Sequence, residues 1–176
     1  MNLERITNIL HPMYCRALEL YQISFPFHER REAFSQEKIL SDNEYHFSLI
    51  YNKNTFVGLV LYWESEDFIY IEHLCILPEM RNKQYGRKVL SLLGGKQKTL
   101  ILEIDPPVDN ISKRRKGFYE RCGFIENSFQ HIHPPYHKQN HGHNLVIMTY
   151  PKQISYNEYS TFNRYLKNKI MNNAFI

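Results

Sequence analysis

Polar and apolar positions change period along this chain, and the changes mark its elements. From Tyr45 to Tyr51 the apolar residues Tyr45, Phe47, Leu49 and Tyr51 alternate with His46 and Ser48, which predicts a strand. Asn52-Lys53-Asn54 reads as a turn. Thr55–Trp63 and Phe68–Leu77 follow as strands rich in β-branched and aromatic residues, so the three form an antiparallel meander. Ahead of it, Pro12–Ser24 reads as a helix with Leu18 and Tyr21 inward, broken by Phe25-Pro26-Phe27. Ser35–Leu40 reads as a short second helix with Ser35 as its N-cap.

After Pro78 the period lengthens. A helix starts near Gly86, turns Val89, Leu90 and Leu93 inward and stops at Gly94-Gly95. Thr99–Asp105 is again a strand, closed by Pro106-Pro107. A further helix from Ile111 carries Ile111, Phe118 and Cys122 at helical spacing and ends at Gly123. Phe124–His133 and Asn144–Tyr150 are the last predicted strands, around a polar loop, and Glu158–Met171 is a closing amphipathic helix with Phe162, Tyr165 and Leu166. A meander followed by strand–helix–strand–helix–strand indicates an α+β or mixed α/β domain.

Composition narrows the class. The 176 residues fit one domain, 1–176, with the closing helix (155–172) as an extension. At 43% hydrophobic and 23% charged residues the chain is not of the disordered class. Its 3 cysteines, Cys15, Cys75 and Cys122, include no CxxC pair, which disfavours a disulfide scaffold or a cysteine zinc site. The longest apolar run, Phe56–Trp63, is too short to cross a bilayer, and the N-terminus has no apolar signal core. A cytoplasmic protein without a membrane partner is expected. With 22 Lys+Arg against 18 Asp+Glu the net charge is +4, a weak pointer to nucleic acid. Basic residues cluster at Arg81–Lys88 and Lys113–Lys116, but no base-stacking or groove-reading motif accompanies them. A nucleic-acid partner is therefore not expected, and the clusters suit one small polyanion.

The informative stretch runs from Ile71 to Leu90: a strand, a basic turn, then a helix. A helix N-terminus offers unpaired N–H groups and the positive end of a dipole, which suits a pyrophosphate. Two later features add chemistry. Glu103 interrupts the apolar strand Leu100–Ile104, where a carboxylate has to be paired, solvated in a cleft or shifted in pKa. Tyr119 lies beside the buried face of its helix and can carry a phenol into a cleft.

Together these residues resemble the GNAT superfamily of acetyl-CoA-dependent N-acetyltransferases. The family's phosphate-cradling motif, Gln/Arg-x-x-Gly-x-Gly/Ala after a Val-x-Pro-like strand end, corresponds here to Arg81-Asn82-Lys83-Gln84-Tyr85-Gly86 after Ile76-Leu77-Pro78. Its later motif, Tyr-Glu-x-x-Gly-Phe, corresponds to Tyr119-Glu120-Arg121-Cys122-Gly123-Phe124. The order of elements agrees over roughly residues 10–150. Two positions depart from the pattern. Gln84 stands where the first motif glycine would be, at a cost of about 1 kcal/mol or more if φ is positive there. Ser112 stands where many members carry an asparagine that helps hold the pantetheine arm, and it could equally be a plain helix N-cap.

The resemblance implies a central, mostly antiparallel sheet, splayed in the middle and flanked by helices. It implies that the pantetheine arm of acetyl-CoA, the cosubstrate, pairs with the backbone of Leu74, Cys75 and Ile76, with the Ile76 N–H steadying the thioester oxygen. The pyrophosphate would sit over Asn82–Arg87, with Arg81, Lys83, Gln84, Tyr85, Gly86 and Arg87 around it. A primary amine, on a small molecule or a peptide, would attack the thioester directly. Glu103 is the first candidate base, directly or through water; Glu72 and His73 are the runners-up, on opposite faces if their strand is regular. Tyr119 is the candidate acid for the leaving thiolate, and Cys75 reads as a core residue. The alternative function is an acyl-CoA-binding sensor without turnover.

One loop is histidine-rich: His131, His133, His137, His141 and His143. His131 and His133 share a strand face, as do His141 and His143. No cysteine or supporting carboxylate is evident nearby, so no metal is expected. In the family layout this loop borders the acceptor site, with Tyr136, His133 and His137 facing Phe25–Arg31. The tail Ile154–Ile176 either covers the sheet or meets a partner subunit, as in a homodimer.

Overall fold

A computed structural model describes residues 1–172, 174 and 175. Eight strands form one sheet in the order β1-β2-β3-β4-β5-β8-β6, with β7 also paired to β8. They are β1 (Asn2–Ile6), β2 (Tyr45–Asn52), β3 (Thr55–Glu64), β4 (Phe68–Ile76), β5 (Thr99–Ile104), β6 (Ile125–Glu126), β7 (His131–His133) and β8 (His143–Tyr150). Every pairing is antiparallel except β4 with β5. The helices are α1 (Tyr14–Ser24), α2 (Ala33–Ile39), α3 (Tyr85–Gly94), α4 (Asn110–Arg121) and α5 (Tyr156–Tyr165), the last running into a π-helical turn, Leu166–Ile170.

The sheet is covered on both faces. On one side α1, α2 and α5 bury Tyr21, Ile39 and Phe162 against Phe47, Trp63 and Tyr70. On the other, α3 and α4 pack Val89, Leu93 and Phe118 against Ile69, Ile71 and Leu102. The central strands β3 and β4 are covered on both faces, which explains their near-continuous apolar runs.

Several boundaries differ from the sequence reading. The edge strand β1 was not anticipated; it is five residues long and carries Glu4 and Arg5, the charged, short form that edge strands take. Helix α2 begins at Ala33 after Glu32, so Ser35 is a buried interior residue and not its cap. In α4 the cap is Asp109, whose carboxylate accepts from the Ile111 and Ser112 amides. That phasing turns Ile111 outward (71% exposed), while Phe118, Tyr119 and Cys122 pack inward. The strand expected over Phe124–His133 is split into β6 and β7; after β6 the Asn127 amide still donates to Ile147 O at 2.9 Å, and its side chain bonds Thr149 Oγ1 and the Ile154 amide. Helix α5 starts at Tyr156, behind a reciprocal cap between Ser155 and Glu158, at the start of the 155–172 extension and ahead of Glu158, where its apolar spacing begins.

One irregularity bears on the site. The β3/β4 register shifts between Leu61 and Tyr62, pairing Leu61 with His73 and Tyr62 with Ile71. Glu72 is the unpaired residue of this bulge. A regular strand would send Glu72 and His73 to opposite faces; the bulge sends both to the α1 side, where Tyr136 contacts each of them.

Candidate active site

The parallel pairing of β4 and β5 ends at Ile71–Leu102. Past that point β4 stays with β3 as far as Ile76, and β5 stays with β8 as far as Ile104. The strands therefore diverge, and a cleft of about 1090 Å³ opens between them. Its wall includes Leu74, Cys75 and Ile76 from β4, Glu103 and Asp105 from the other side, Tyr119 from α4, and His133 and Tyr136 from the loop.

Beyond Ile71 the edge of β4 facing β5 is unpaired and turns main-chain groups into the cleft. The Leu77 amide donates to Val57 O at 2.9 Å, so strand alternation turns the backbone groups of Leu74 and Ile76 away from β3 and into the gap. In keeping with that direction, Arg81 Nε donates to Ile76 O at 3.3 Å. The turn that follows holds Asn82 at φ 63° and Gln84 at φ 62°. Both left-handed residues curl the chain ahead of α3, whose N-terminus has no side-chain cap, leaving its first amides for a ligand. Helix α3 approaches α4 closely at Gly86, where a Cβ would sit 3.1 Å from the Phe118 ring.

The cofactor candidates separate by role. Leu74, Cys75, Ile76, Arg81, Asn82 and Gly86 line the cleft. Gln84 shapes the turn through its backbone, Lys83 Nζ donates to Glu79 O at 3.0 Å, and Tyr85 accepts from Asn52 Nδ2 at 3.2 Å. Lys83, Gln84, Tyr85 and Arg87 are not part of the wall. Nor is Ser112, a 4% exposed residue whose hydroxyl completes the α4 cap by bonding the Asp109 backbone. Tyr119 is half-buried on the wall, and burial pushes its phenol up to about 12. Burial likewise raises the Cys75 thiol to about 11, the state of a core residue and not of a nucleophile.

Comparison with known proteins agrees with this geometry. Residues 43–126 match the family model of the acetyltransferase (GNAT) domain. A solved structure from Bacteroides thetaiotaomicron, provisionally named a GNAT-family acetyltransferase, superimposes with a TM-score of 0.90 over 97% of this chain and 98% of that one, at 26% identity. Residues 43–126 are thus similar to the GNAT acetyltransferase domain, and the chain has the fold of that GNAT-family structure. YjbC of Bacillus subtilis (strain 168), provisionally named an acetyltransferase, is 27% identical over 103 residues; the match spans 57% of this chain and about half (52%) of that relative. An aminoglycoside 6'-N-acetyltransferase solved with coenzyme A shares the fold at TM-score 0.58 and 14% identity, over 85% of this chain and 96% of that one.

The other end of the cleft is built from side chains. Glu72, its side chain 1% exposed, accepts from Arg31 (3.2 and 3.1 Å), Trp63 Nε1 (3.0 Å) and Tyr136 OH (2.8 Å). Burial alone would raise its pKa; the Arg31 guanidinium outweighs that and holds it below the usual carboxylate range. Arg31 also donates to Ile170 O at 2.6 Å, tying the C-terminal turn to the site. Glu103 is buried as well. It accepts from Tyr70 OH at 2.6 Å and is hydrogen-bonded to His131 Nε2, while His133 Nε2 lies 3.8 Å away. Again burial would raise its pKa, and His133 and His131 bring it below normal. His131 Nδ1 in turn meets Tyr159 OH at 3.0 Å.

His73 is enclosed by Tyr21 (5.0 Å between ring centroids) and Phe25 (4.4 Å), and Nε2 donates to Glu29 O at 2.9 Å. Burial drops its pKa to about 4, so it is neutral. The histidine loop does face Phe25–Arg31: His137 stacks on Phe27 at 4.0 Å and donates to its carbonyl at 2.9 Å. His141 and His143 are exposed. Among the described residues, no group of three His, Cys, Asp or Glu is arranged to hold a metal ion, and no helix is long and apolar enough to cross a membrane.

Arg31, Trp63, Tyr70 and Tyr159 were not singled out as site residues beforehand. The one available signal was indirect: carboxylates at Glu72 and Glu103 inside apolar strands require partners from elsewhere in the chain.

Proposed function

We propose that this protein is an N-acetyltransferase that moves the acetyl group of acetyl-CoA to a primary amine by direct attack. The observation that carries this reading is the divergence of β4 from β5 beside an uncapped helix N-terminus, with ionisable groups at the other end of the same cleft. The residues fit the cosubstrate. The inward-turned amides of Leu74 and Ile76 suit an extended amide-bearing arm, and the amides from Asn82 to Arg87 suit a pyrophosphate, with Arg81 adding charge. The coenzyme A bound by the aminoglycoside acetyltransferase of the same fold supports this choice.

Bound acetyl-CoA supplies a thioester carbonyl as electrophile and a thiolate as leaving group. In this reading the Ile76 amide donates to the carbonyl oxygen as it gains charge. Tyr119, held protonated by burial, gives a proton to the departing sulfur. Glu103 fixes a negative charge that attracts the acceptor's ammonium, and its hydrogen bonds to Tyr70 and His131 keep it ionised.

The test is release of free thiol from acetyl-CoA in the presence of an amine panel: butylamine, a lysine peptide, a free peptide N-terminus and an aminoglycoside. Turnover with at least one amine supports the transferase. Tight CoA binding with no thiol release from any of them supports the sensor reading instead.

A further inference from the structure

The deep polar end of the cleft contains a lone pair with nothing bound to it. His133 is 5% exposed and sits on the cleft wall. Its Nδ1 lies 2.5 Å from Pro134 O. A carbonyl oxygen only accepts, so Nδ1 carries the proton and Nε2 presents a lone pair. That Nε2 is buried and has no hydrogen-bond partner. Leaving such a group unmatched carries its desolvation cost, which a donor ligand would recover. A second lone pair, on His73 Nδ1, is also buried and unmatched, because the Nε2 of that ring is committed to Glu29 O. Tyr136 lies between the two rings, 5.0 Å from His133 and 6.2 Å from His73. This end of the cleft therefore offers acceptors and negative charge, and the complementary ligand is a group with several N–H donors and a positive charge.

Building on the acetyltransferase reading, we infer that His133 Nε2 is the atom that takes the proton from the acceptor's ammonium, and that Glu103 is the positioning residue that holds the resulting imidazolium. The two imidazoles differ in surroundings. His133 Nε2 faces Oε2 of Glu103 on β5 at 3.8 Å; Tyr70 OH donates to that same oxygen, and His131 is hydrogen-bonded to Oε1. His73 is enclosed by Tyr21 and Phe25, beside a Glu72 already neutralised by Arg31. A proton placed on His133 lies next to a free negative charge; one placed on His73 does not. Glu103 itself has both oxygens engaged, so it acts through His133.

The step balances as follows. One ammonium proton moves to His133 Nε2. The freed nitrogen lone pair forms the C–N bond, and the C–S electron pair leaves on sulfur. Sulfur takes the Tyr119 proton, and the surplus proton of the new amide nitrogen returns to Tyr119. The products are an N-acetyl amine, a thiol and one proton, which His133 passes to solvent.

The first test needs no cosubstrate. In nitrogen-resolved NMR of histidine-labelled protein, His133 is expected as the Nδ1–H form, and butylammonium chloride is expected to shift its Nε2 resonance. An Nε2–H form, or an Nε2 signal unmoved by butylammonium, overturns the inference even if the protein acetylates amines. The second test compares amines. H133Q is expected to lose about 100-fold or more in kcat/KM with butylamine, with CoA affinity retained. With O-methylhydroxylamine, which is already unprotonated at neutral pH, it is expected to stay within about threefold of the parent. Equal losses on both amines would reduce His133 to a structural part, and no loss on either would remove it from the reaction. Should H133Q fold poorly, H133A with added imidazole replaces it, and recovered butylamine turnover is the expected result. E103Q is expected to move the acid limb of the parent's pH–rate profile to lower pH while lowering the plateau; an unmoved limb contradicts the positioning role. Absence of thiol release by the parent with every amine would overturn the acetyltransferase reading, and the NMR result would still decide the proton-acceptor assignment.

Discussion

The two ends of the cleft are built by different means. At the β4–α3 end the polar groups are main-chain amides, presented by a strand edge that has lost its neighbour and by an uncapped helix. At the β7 end they are side chains drawn from Arg31, Glu72, Glu103, His131, His133 and Tyr136, with Tyr159 behind them. A main-chain site tolerates side-chain change so long as the backbone keeps its path. A buried polar network tolerates little, because each unmatched charge carries its full desolvation penalty.

The largest effect separating the two ends should come from Arg31. Replacing it with Met strands the buried Glu72 carboxylate and is expected to destabilise the fold by about 3–5 kcal/mol in urea unfolding. Adding Glu72→Gln should recover a large part of that loss. Recovery of none would mean that packing of Arg31 against Trp63 and Tyr136, not its charge, is what the site requires.

Next is the pH dependence of stability. His73 has a folded pKa lowered to about 4 from an ordinary 6.5, so between those values the unfolded chain binds a proton that the native one refuses. Its contribution is present above pH 6.5 and is lost as pH falls toward 4, roughly 3 kcal/mol in all. Glu72 and Glu103, also lowered, extend the loss further into acid. Unfolding midpoints across this range should fall steadily for the parent and less steeply for His73→Phe; parallel slopes would contradict the account.

Tyr119→Phe should reduce turnover by about 100-fold while CoA affinity stays nearly constant, as read by steady-state kinetics and calorimetry. Turnover within threefold of the parent would remove the phenol from the acid role. The smallest effect is expected at the main-chain end. Gln84→Gly relieves a left-handed residue but loosens the unfolded chain, so a net gain of about 0.5 kcal/mol is expected, with CoA binding unchanged. A clear loss of CoA affinity would show that the Gln84 side chain, not only its backbone, contributes.

What could be read from the sequence follows the same division. The meander, the basic turn and the Tyr119–Phe124 helix end are local patterns, and each element formed close to its expected place. Positive φ at Gln84 was conditional in the sequence and is realised in the fold. The β7 end was legible only as odd carboxylates and a run of histidines, because its partners lie far apart: Arg31 and Glu72 are 41 residues apart, Glu103 and His131 are 28. The bulge that places Glu72 and His73 on one face depends on pairing with β3, which neither residue encodes alone. Ile111 and Ser35 were misplaced because Asp109 and Glu32 set the helix starts, which leaves Ile111 exposed in the first turn of α4 and puts Ser35 inside α2, while Phe118 and Cys122 keep their inward positions.

Amide NMR with added CoA bears on the whole construction at once. Shifts should concentrate on Leu74–Ile76, Asn82–Arg87 and the segment around Tyr119, leaving β1 and α5 still. An unchanged spectrum at saturating CoA, or shifts gathered away from the β4–β5 gap, would contradict it.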